Sequence, residues 1–126
     1  MEEIKVPDCH NRLMPYLRVE GADKLIEFLK IVFEAKEIFK LLREEGKVQH
    51  AELKIGDCVL MISESNEQFK AEPSNIYIYV ADADKTYEIA LSNGGIAFMK
   101  PEKQSYASKG GGFKDPSGNT WWISTV

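Results

Sequence analysis

The sequence predicts an α+β fold in which two β-α-β-β-β modules form a curved mixed sheet around a concave cleft. The first observation behind this prediction is an internal repeat, which constrains architecture more strongly than any single motif. In both copies a short apolar strand leads into a helix that opens with an Asp-Lys pair. Two similar units that meet face to face usually share a cleft, so we expect a pocket between them. Six residues recur 61 positions later, as Tyr16/Tyr77, Val19/Val80, Ala22/Ala83, Asp23/Asp84, Lys24/Lys85 and Glu27/Glu88.

The second observation is a glycine turn near the end of each half. Gly56-Asp57 precedes an apolar run, and Gly118-Asn119 precedes another at an offset of 62. A chain of 126 residues is one domain by length. We divide it into an N-terminal lead-in (1–13), a first module (14–64), a polar linker (65–74) and a second module (75–126).

The first module contains one predicted helix and four predicted strands. Gly21 turns the chain, and Asp23 can cap a helix that runs to about Glu34. Gly46 supplies the positive φ that a hairpin turn needs. Four apolar residues at helical spacing must face a sheet, namely Leu25, Phe28, Leu29 and Val32. The predicted strands are Met14–Val19, Glu37–Leu42, Lys47–Ile55 and Cys58–Ser63.

The second module repeats this order. Asp82 or Asp84 caps its helix, and Asn93-Gly94-Gly95 ends it with a glycine suited to the left-handed conformation. The Gly110-Gly111-Gly112 run lacks the context of a phosphate loop and is typical of a strand end or a bulge near the cleft. The predicted strands are Ile76–Val80, Ile96–Lys100, Tyr106–Lys114 and Thr120–Thr125, with Pro101–Ser105 as a connecting turn.

Composition excludes several partner classes. The net charge of −4 comes from 20 acidic and 16 basic residues that are well mixed, so no basic stripe is available for nucleic acid. Cys9 and Cys58 are too few for a disulfide framework and indicate reduced thiols. The chain opens with acidic residues where a signal peptide would be basic, and no apolar run reaches membrane-spanning length. We expect a cytoplasmic protein with no nucleic acid and no membrane partner.

Strand alternation assigns side chains to the two faces of the sheet. Apolar residues at alternate strand positions face the helices, and the residues between them face the cleft. The residues that face the cleft combine aromatic and charged side chains, which suits a mostly apolar pocket with a few orienting polar groups. The predicted ligand-binding residues are Tyr16, Arg18, His50, Glu52, Tyr77, Tyr79 and Trp122.

Each of these residues also has a purely structural interpretation. His50 and Glu52 point the same way and could act as general acid and base, or simply pair with each other. Arg18 could anchor a ligand carboxylate or phosphate, or form an ion pair with Glu52. The aromatic residues could instead belong to a dimer interface.

Five short motifs occur in order along the two modules, namely Pro15-Tyr16-Leu17, His50-Ala51-Glu52-Leu53, Ile55-Gly56-Asp57, Val59-Leu60-Met61 and Asp115-Pro116-Ser117-Gly118-Asn119-Thr120-Trp121. Together they resemble the vicinal oxygen chelate superfamily, which includes glyoxalase I, bleomycin-resistance proteins and extradiol dioxygenases. Within it, the chain is most similar to small bacterial PhnB-like proteins. The resemblance implies helices on the convex side of the sheet, a ligand on the concave side and, in many members, a homodimer.

Catalytic members of the resembled family hold a metal on four sheet positions that carry His, Glu or Gln. Carried over by the repeat, these positions fall on Met14, Leu60, Asn75 and Trp122. None is a carboxylate or an imidazole, so we expect no metal and no cofactor. Asp8-Cys9-His10 offers other possible ligands, and so do His50 and Glu52 on one strand face, although two histidines limit any such cluster. For Asp8-Cys9-His10 a plain polar segment is the favoured interpretation.

Three functional hypotheses follow. The first is a protein, expected to be a homodimer, that binds an aromatic or amphipathic small molecule in the cleft without the usual metal. The second is a metal-independent isomerase or lyase-like enzyme that uses His50 or Glu52 for proton transfer. The third is an assembly module whose cleft is filled by a partner chain.

Overall fold

The computed structural model describes residues 1–105 and 107–126, and it contains two helices and eight strands arranged as two four-stranded mixed sheets. The sheet orders are β1-β4-β3-β2 and β5-β8-β7-β6, and only β1–β4 and β5–β8 are parallel pairs among the described residues. The predicted pair of β-α-β-β-β modules is therefore confirmed. The elements are β1 (Tyr16–Val19), α1 (Ala22–Phe33), β2 (Lys36–Leu42), β3 (Val48–Ile55), β4 (Cys58–Glu64), β5 (Asn75–Tyr79), α2 (Ala83–Ser92), β6 (Ile96–Glu102), β7 (Lys109–Lys114) and β8 (Thr120–Thr125).

A single hydrophobic core connects the two modules. The predicted apolar stripe of α1 is buried against the apolar residues that occupy alternate positions in the strands of the first sheet. Phe28 and Phe33 of α1 also reach the second module, where their rings lie 5.9 and 6.1 Å from that of Phe113. Phe33 packs on Trp121 at 5.0 Å. Aromatic contacts at these distances stabilise the junction beyond simple burial.

The start of α1 corrects one prediction. Asp23 lies in the first turn and does not cap the helix; the N-cap residue is Gly21, which makes no side-chain cap hydrogen bond. The carboxylate of Glu64 accepts hydrogen bonds from the backbone N–H groups of Gly21 (3.0 Å) and Ala22 (2.9 Å) instead. A carboxylate from the end of β4 thus satisfies the free N–H groups of the helix and complements its dipole.

The ends of α2 follow the prediction. Asp82 is the N-cap residue, and its side chain accepts a hydrogen bond from the backbone N–H of Lys85 at 3.1 Å. Gly94 follows the C-cap residue with a φ of +100°, the left-handed conformation for which glycine has no steric cost.

The strands β6 and β7 differ from the prediction. β6 continues through Pro101 and does not turn there; an edge strand tolerates proline because its outer N–H groups need no partner. β7 begins at Lys109, and Tyr106, the start of the predicted strand, lies outside the described residues. Gly111 is buried inside β7 and not at a strand end, and β6 is irregular between Met99 and Glu102, opposite the glycines, as the predicted bulge implies. Only glycine fits at position 111, because a Cβ there would lie 2.6 Å from the carbonyl oxygen of Met99.

A buried carboxylate organises the turn between β7 and β8. Asp115 is fully buried and accepts hydrogen bonds from the backbone N–H groups of Ser117 (2.8 Å) and Asn119 (3.1 Å). It also accepts from the Asn119 amide (2.9 Å) and the Trp121 indole (2.8 Å). These four donors fix the five-residue turn and the position of Trp121 in the core.

The two sheets leave apolar side chains exposed on their edge strands. β2 is exposed along its whole length, and β6 is exposed at most positions. The large apolar residues exposed there are Ile38, Phe39, Leu41, Leu42, Ile96 and Phe98. Neither helix of the described chain has the length and apolar character needed to cross a membrane.

Candidate functional site on the first sheet

Side chains on the sheet face opposite α1, which we call the open face, carry the candidate site. Leu17 and Val19 are buried beneath α1, so Tyr16 and Arg18 lie on the open face of β1. Alternation in β3 places His50 and Glu52 on the same face, and the rings of Tyr16 and His50 lie 6.1 Å apart. The structure therefore brings these four predicted site residues together.

Glu52 is the centre of a hydrogen-bonded cluster that includes both histidines of the chain. Its Oε2 atom lies 2.9 Å from Nε2 of His50, and its Oε1 atom lies 2.8 Å from Nε2 of His10. The pairing of His50 with Glu52 is one of the two predicted alternatives. The contribution of His10 was not predicted, because it comes from the N-terminal segment that the sequence indicated to be merely polar.

The environment of Glu52 keeps its carboxylate ionised. Burial by itself would raise the pKa of Glu52, but hydrogen bonds from His50 and His10, together with their charges, hold that pKa below its ordinary value. A carboxylate of this kind is a poor general acid at neutral pH. Its two hydrogen bonds hold the imidazoles of His10 and His50 on either side of it.

Arg18 lies between two aromatic rings. Its guanidinium carbon is 5.3 Å from the ring centroid of Tyr16 and 5.0 Å from that of Phe69, which are cation–π distances. It donates hydrogen bonds to the Tyr16 hydroxyl at 3.0 Å and to the backbone carbonyl of Glu64 at 3.5 Å. The predicted alternative of an Arg18–Glu52 ion pair is wrong, because Glu52 is engaged by the two histidines.

Arg43 is a second cation at this site and was not predicted. It follows β2 and donates hydrogen bonds to the backbone carbonyls of Glu64 and, at 3.3 Å, Ser65. Arg18 and Arg43 thus share the carbonyl oxygen of Glu64 as an acceptor. Only contacts across the fold reveal this pair, since 25 sequence positions separate the two arginines.

Two open cavities adjoin these residues. The larger has a volume of about 610 Å³, and the smaller, about 400 Å³, shares Tyr16, Arg18 and Phe69 with it. Phe69 was not predicted because it lies in the polar linker; an isolated aromatic residue between Gln68 and Lys70 is the signal that could have revealed it. The larger cavity is lined by Tyr16, Arg18, Arg43, Gln49, His50, Asn66 and Phe69.

The remaining predicted residues lie on the second sheet. The rings of Tyr77 and Tyr79 are 5.4 Å apart, and both residues line a separate cavity of about 350 Å³. Trp122 packs edge-on against Phe98 at 5.3 Å and donates its indole N–H to the side-chain oxygen of Asn75 at 3.1 Å. Within one chain, the predicted aromatic residues therefore form two groups, one on each sheet.

The strand register corrects one of the four carried-over metal positions. Leu60 is buried beneath α1, and Met61 is the residue in register with both Tyr16 and Glu52. Trp122 is in register with Tyr77, so Met61, at an offset of 61, is its counterpart in the first module. The error arose from anchoring the repeat on the glycine turns, which differ in length between the modules.

Paired β-α-β-β-β modules with this strand order define a protein of the glyoxalase-like fold class. Residues 11–123 match the Glyoxalase/Bleomycin resistance protein/Dioxygenase superfamily, and the chain belongs to that superfamily.

One protein similar in sequence and two solved structures similar in fold illustrate the range of similarity. An uncharacterised protein of Mycobacterium bovis is 28% identical over 120 residues, which cover 86% of this chain and 79% of that protein. The crystal structure of TioX from Micromonospora sp. ML1 superposes with a TM-score of 0.73 at 16% identity, covering 92% of this chain and 96% of that one. A PhnB protein from Bacillus cereus gives a TM-score of 0.68 at 17% identity, covering 92% and 100%. These two structures are similar in fold.

The donor chemistry at the family's metal positions does not fit a divalent metal. With the corrected register these positions carry Met14, Met61, Asn75 and Trp122, which offer thioethers, one amide oxygen and an indole N–H. Divalent metals in proteins are held mainly by imidazole and carboxylate ligands, and one amide oxygen among thioethers and an indole does not replace them. Across the described residues, no group of three or more His, Cys, Asp or Glu side chains is arranged to hold a metal ion.

Proposed function

We propose that this protein binds an aromatic or amphipathic small molecule on the open face of its first sheet. The observation that carries the proposal is the Arg18 guanidinium, held between the rings of Tyr16 and Phe69 at the junction of two open cavities. An exposed aromatic pair around a fixed cation offers both an apolar surface and an orienting charge. That combination is typical of small-molecule sites.

We further propose that binding does not use the metal of the catalytic family members. The support is the donor set at the four family positions, where thioether, amide and indole groups replace imidazole and carboxylate. Ligand affinity would then come from the aromatic, cationic and amide groups of the cavity.

A homodimer is part of the proposal. Exposed apolar residues on β2 and β6 form surfaces that a second copy of the chain would cover. In such a dimer, Tyr77, Tyr79 and Trp122 could contribute to the ligand site from the second sheet. Sedimentation analysis tests the dimer, and a monomer at all accessible concentrations would contradict it. The exposed free thiols of Cys9 and Cys58 support the cytoplasm as the proposed compartment.

The proposed binding face is tested by NMR titration with a panel of small aromatic compounds, comparing Phe69→Ala with Ile31→Ala. The two apolar side chains are almost equally exposed, at 50% and 52%, but Phe69 borders the open face and Ile31 lies on α1, on the other side of the first sheet. We expect Phe69→Ala to weaken binding several-fold, because removal of an aromatic contact costs about 1 kcal/mol. Ile31→Ala should change the affinity less. The opposite order would contradict the proposal.

Proton transfer by His50 is a second candidate function. Glu52 occupies Nε2 of His50, which leaves Nδ1 as the atom available to a ligand in the adjoining cavity. A carboxylate that orients an imidazole is a common arrangement for general base catalysis. The test is deuterium exchange from D2O into acidic C–H groups of bound carbonyl compounds. Exchange that is lost in His50→Gln supports this function, and its absence in the native protein contradicts it.

A further inference from the structure

The two arginines of the open face carry more positive charge than their neighbours neutralise. Among the described residues, Arg18 forms no ion pair within 4 Å, and the one carboxylate that pairs with Arg43 is that of Glu45, at 3.6 Å. Glu45 is 55% exposed, so solvent weakens that ion pair. Both guanidinium groups instead share the backbone carbonyl of Glu64.

Two other carboxylates close to this pair are already engaged. The Glu64 carboxylate accepts hydrogen bonds from two N–H groups at the start of α1, and the Glu52 carboxylate bonds both histidines. Glu72 borders the smaller cavity but does not line the larger one. The larger cavity of about 610 Å³ is therefore lined by two arginines, a histidine, two amides and two aromatic rings, with no acidic side chain among its described lining residues.

We propose that Arg18 and Arg43 form a subsite for an anionic group, a carboxylate or a phosphoryl group, on the ligand of this cavity. This inference rests on the proposed function and names the chemical class of its ligand. Guanidinium groups match the planar or tetrahedral oxygens of such anions, and their hydrogen bonds to anions are among the strongest in proteins. The amides of Gln49 and Asn66 add neutral donors at the same wall.

The aromatic rings set the shape of the remainder of the ligand. Tyr16 and Phe69 flank Arg18, so an anion that reaches Arg18 places its attached group against one of these rings. A flat or apolar group directly bonded to the anion fits this arrangement. Benzoate and phenylphosphate are the simplest probes with this chemistry, and benzamide is a neutral probe of nearly the same shape as benzoate.

The experiment measures the affinities of the three probes by NMR titration into the millimolar range, for the native protein and for Arg18→Gln and Arg43→Gln. Arg12→Gln is the matched control, since Arg12 is the remaining arginine and does not line either cavity. We expect at least one anion to bind about tenfold or more tightly than benzamide, the size expected for one hydrogen-bonded ion pair. Each substitution in the cavity should remove most of that difference, and Arg12→Gln should retain it.

Two further measurements keep the test decisive if a glutamine variant does not fold. Arg43→Lys retains the charge but loses the planar fork, so it should bind the anion with intermediate affinity. In the native protein, the Nε–Hε resonances of Arg18 and Arg43 should shift on anion binding, and the affinity should fall as salt is added.

The outcomes separate this inference from the proposed function. A stronger response to benzoate indicates a carboxylate ligand, and a stronger response to phenylphosphate indicates a phosphoryl ligand. Benzamide binding as tightly as both anions, or anion binding that survives loss of either arginine, would overturn the anionic subsite and leave the small-molecule site intact. If none of the three probes binds, both proposals are wrong.

Discussion

Replacement of Glu52 by glutamine tests the cluster that joins the N-terminal segment to the first sheet. The substitution retains the shape of the side chain and removes its charge. The Glu52 side chain is only 15% exposed, and it makes two hydrogen bonds, of 2.8 and 2.9 Å, to His10 and His50. Glu52→Gln therefore replaces two charge-assisted hydrogen bonds with neutral ones.

The introduced amide retains one oxygen and one NH2 group at the positions of the two carboxylate oxygens. It can therefore still pair with both imidazoles, but it offers no negative charge to either of them.

The expected loss of stability is about 2 kcal/mol at neutral pH. A hydrogen bond to a charged group contributes about 1.5–3 kcal/mol and a neutral one about 1 kcal/mol, so each of the two bonds loses about 1 kcal/mol. Glu52→Ala should cost more, because it leaves both imidazoles without their partner.

The pH dependence of this loss has a defined sign. Because the folded-state pKa of Glu52 lies below its ordinary value of 4.5, its stabilising contribution is complete above that pH. The contribution disappears as the pH falls through the folded-state pKa, where protonated Glu52 resembles glutamine. The stability difference between native protein and Glu52→Gln should therefore be constant near neutrality and shrink in acid.

Urea denaturation followed by tryptophan fluorescence measures this difference over the acid-to-neutral range. Glu88→Gln is the matched control, since it removes an exposed carboxylate from α2 and should change stability by less than about 0.5 kcal/mol at every pH. A Glu52→Gln loss that is near zero, or that does not vary between neutral and acid pH, would refute the reasoning.

Two further predictions concern the scaffold. Asp115→Ala should destabilise the protein by about 3 kcal/mol or more, because it leaves four donors without an acceptor and three of their hydrogen bonds are buried. Denaturation together with the emission wavelength of the buried Trp121 measures this loss, and a value below about 1 kcal/mol would contradict the turn described above. Gly111→Ala should cost about 1–3 kcal/mol, because its Cβ would lie 2.6 Å from the Met99 carbonyl oxygen and 2.8 Å from Pro101; an unchanged unfolding midpoint would show that β6 and β7 do not pack this closely.

The fold could be predicted because its signals are local and periodic. Alternation in β1 and β3 assigned the buried faces, and the stripe at helical spacing in α1 identified the side of the helix that packs on the sheet. These patterns depend only on which side chains avoid water. They can therefore be recognised in the sequence without knowing which strands pair with each other.

The register of β4 could not be predicted from the glycine turns of the two modules. In the first module Ile55 pairs with Cys58 across a two-residue turn, whereas in the second Lys114 pairs with Thr120 across a five-residue turn. Gly56 therefore opens its turn while Gly118 lies near the end of the other. Aligning these glycines shifts the strand by one residue, and such a shift exchanges the two faces of a strand.

The candidate site was only partly predictable because it is assembled from distant segments. His10 and Glu52 are 42 positions apart, and Arg18 and Arg43 meet only through the carbonyl of Glu64. A composition or spacing argument contains no information about such contacts. Tyr16, Arg18, His50 and Glu52 were found because each occupies the outward position of a predicted strand.

Titration calorimetry of phenylphosphate or benzoate tests the central claim most directly, namely that the open face of the first sheet binds a ligand without a metal. One protein sample is treated with a chelator and dialysed, and a second is loaded with Mn²⁺, Ni²⁺ or Zn²⁺. The donor set at Met14, Met61, Asn75 and Trp122 predicts the same dissociation constant for both samples. Binding that appears only after metal is added would contradict the account.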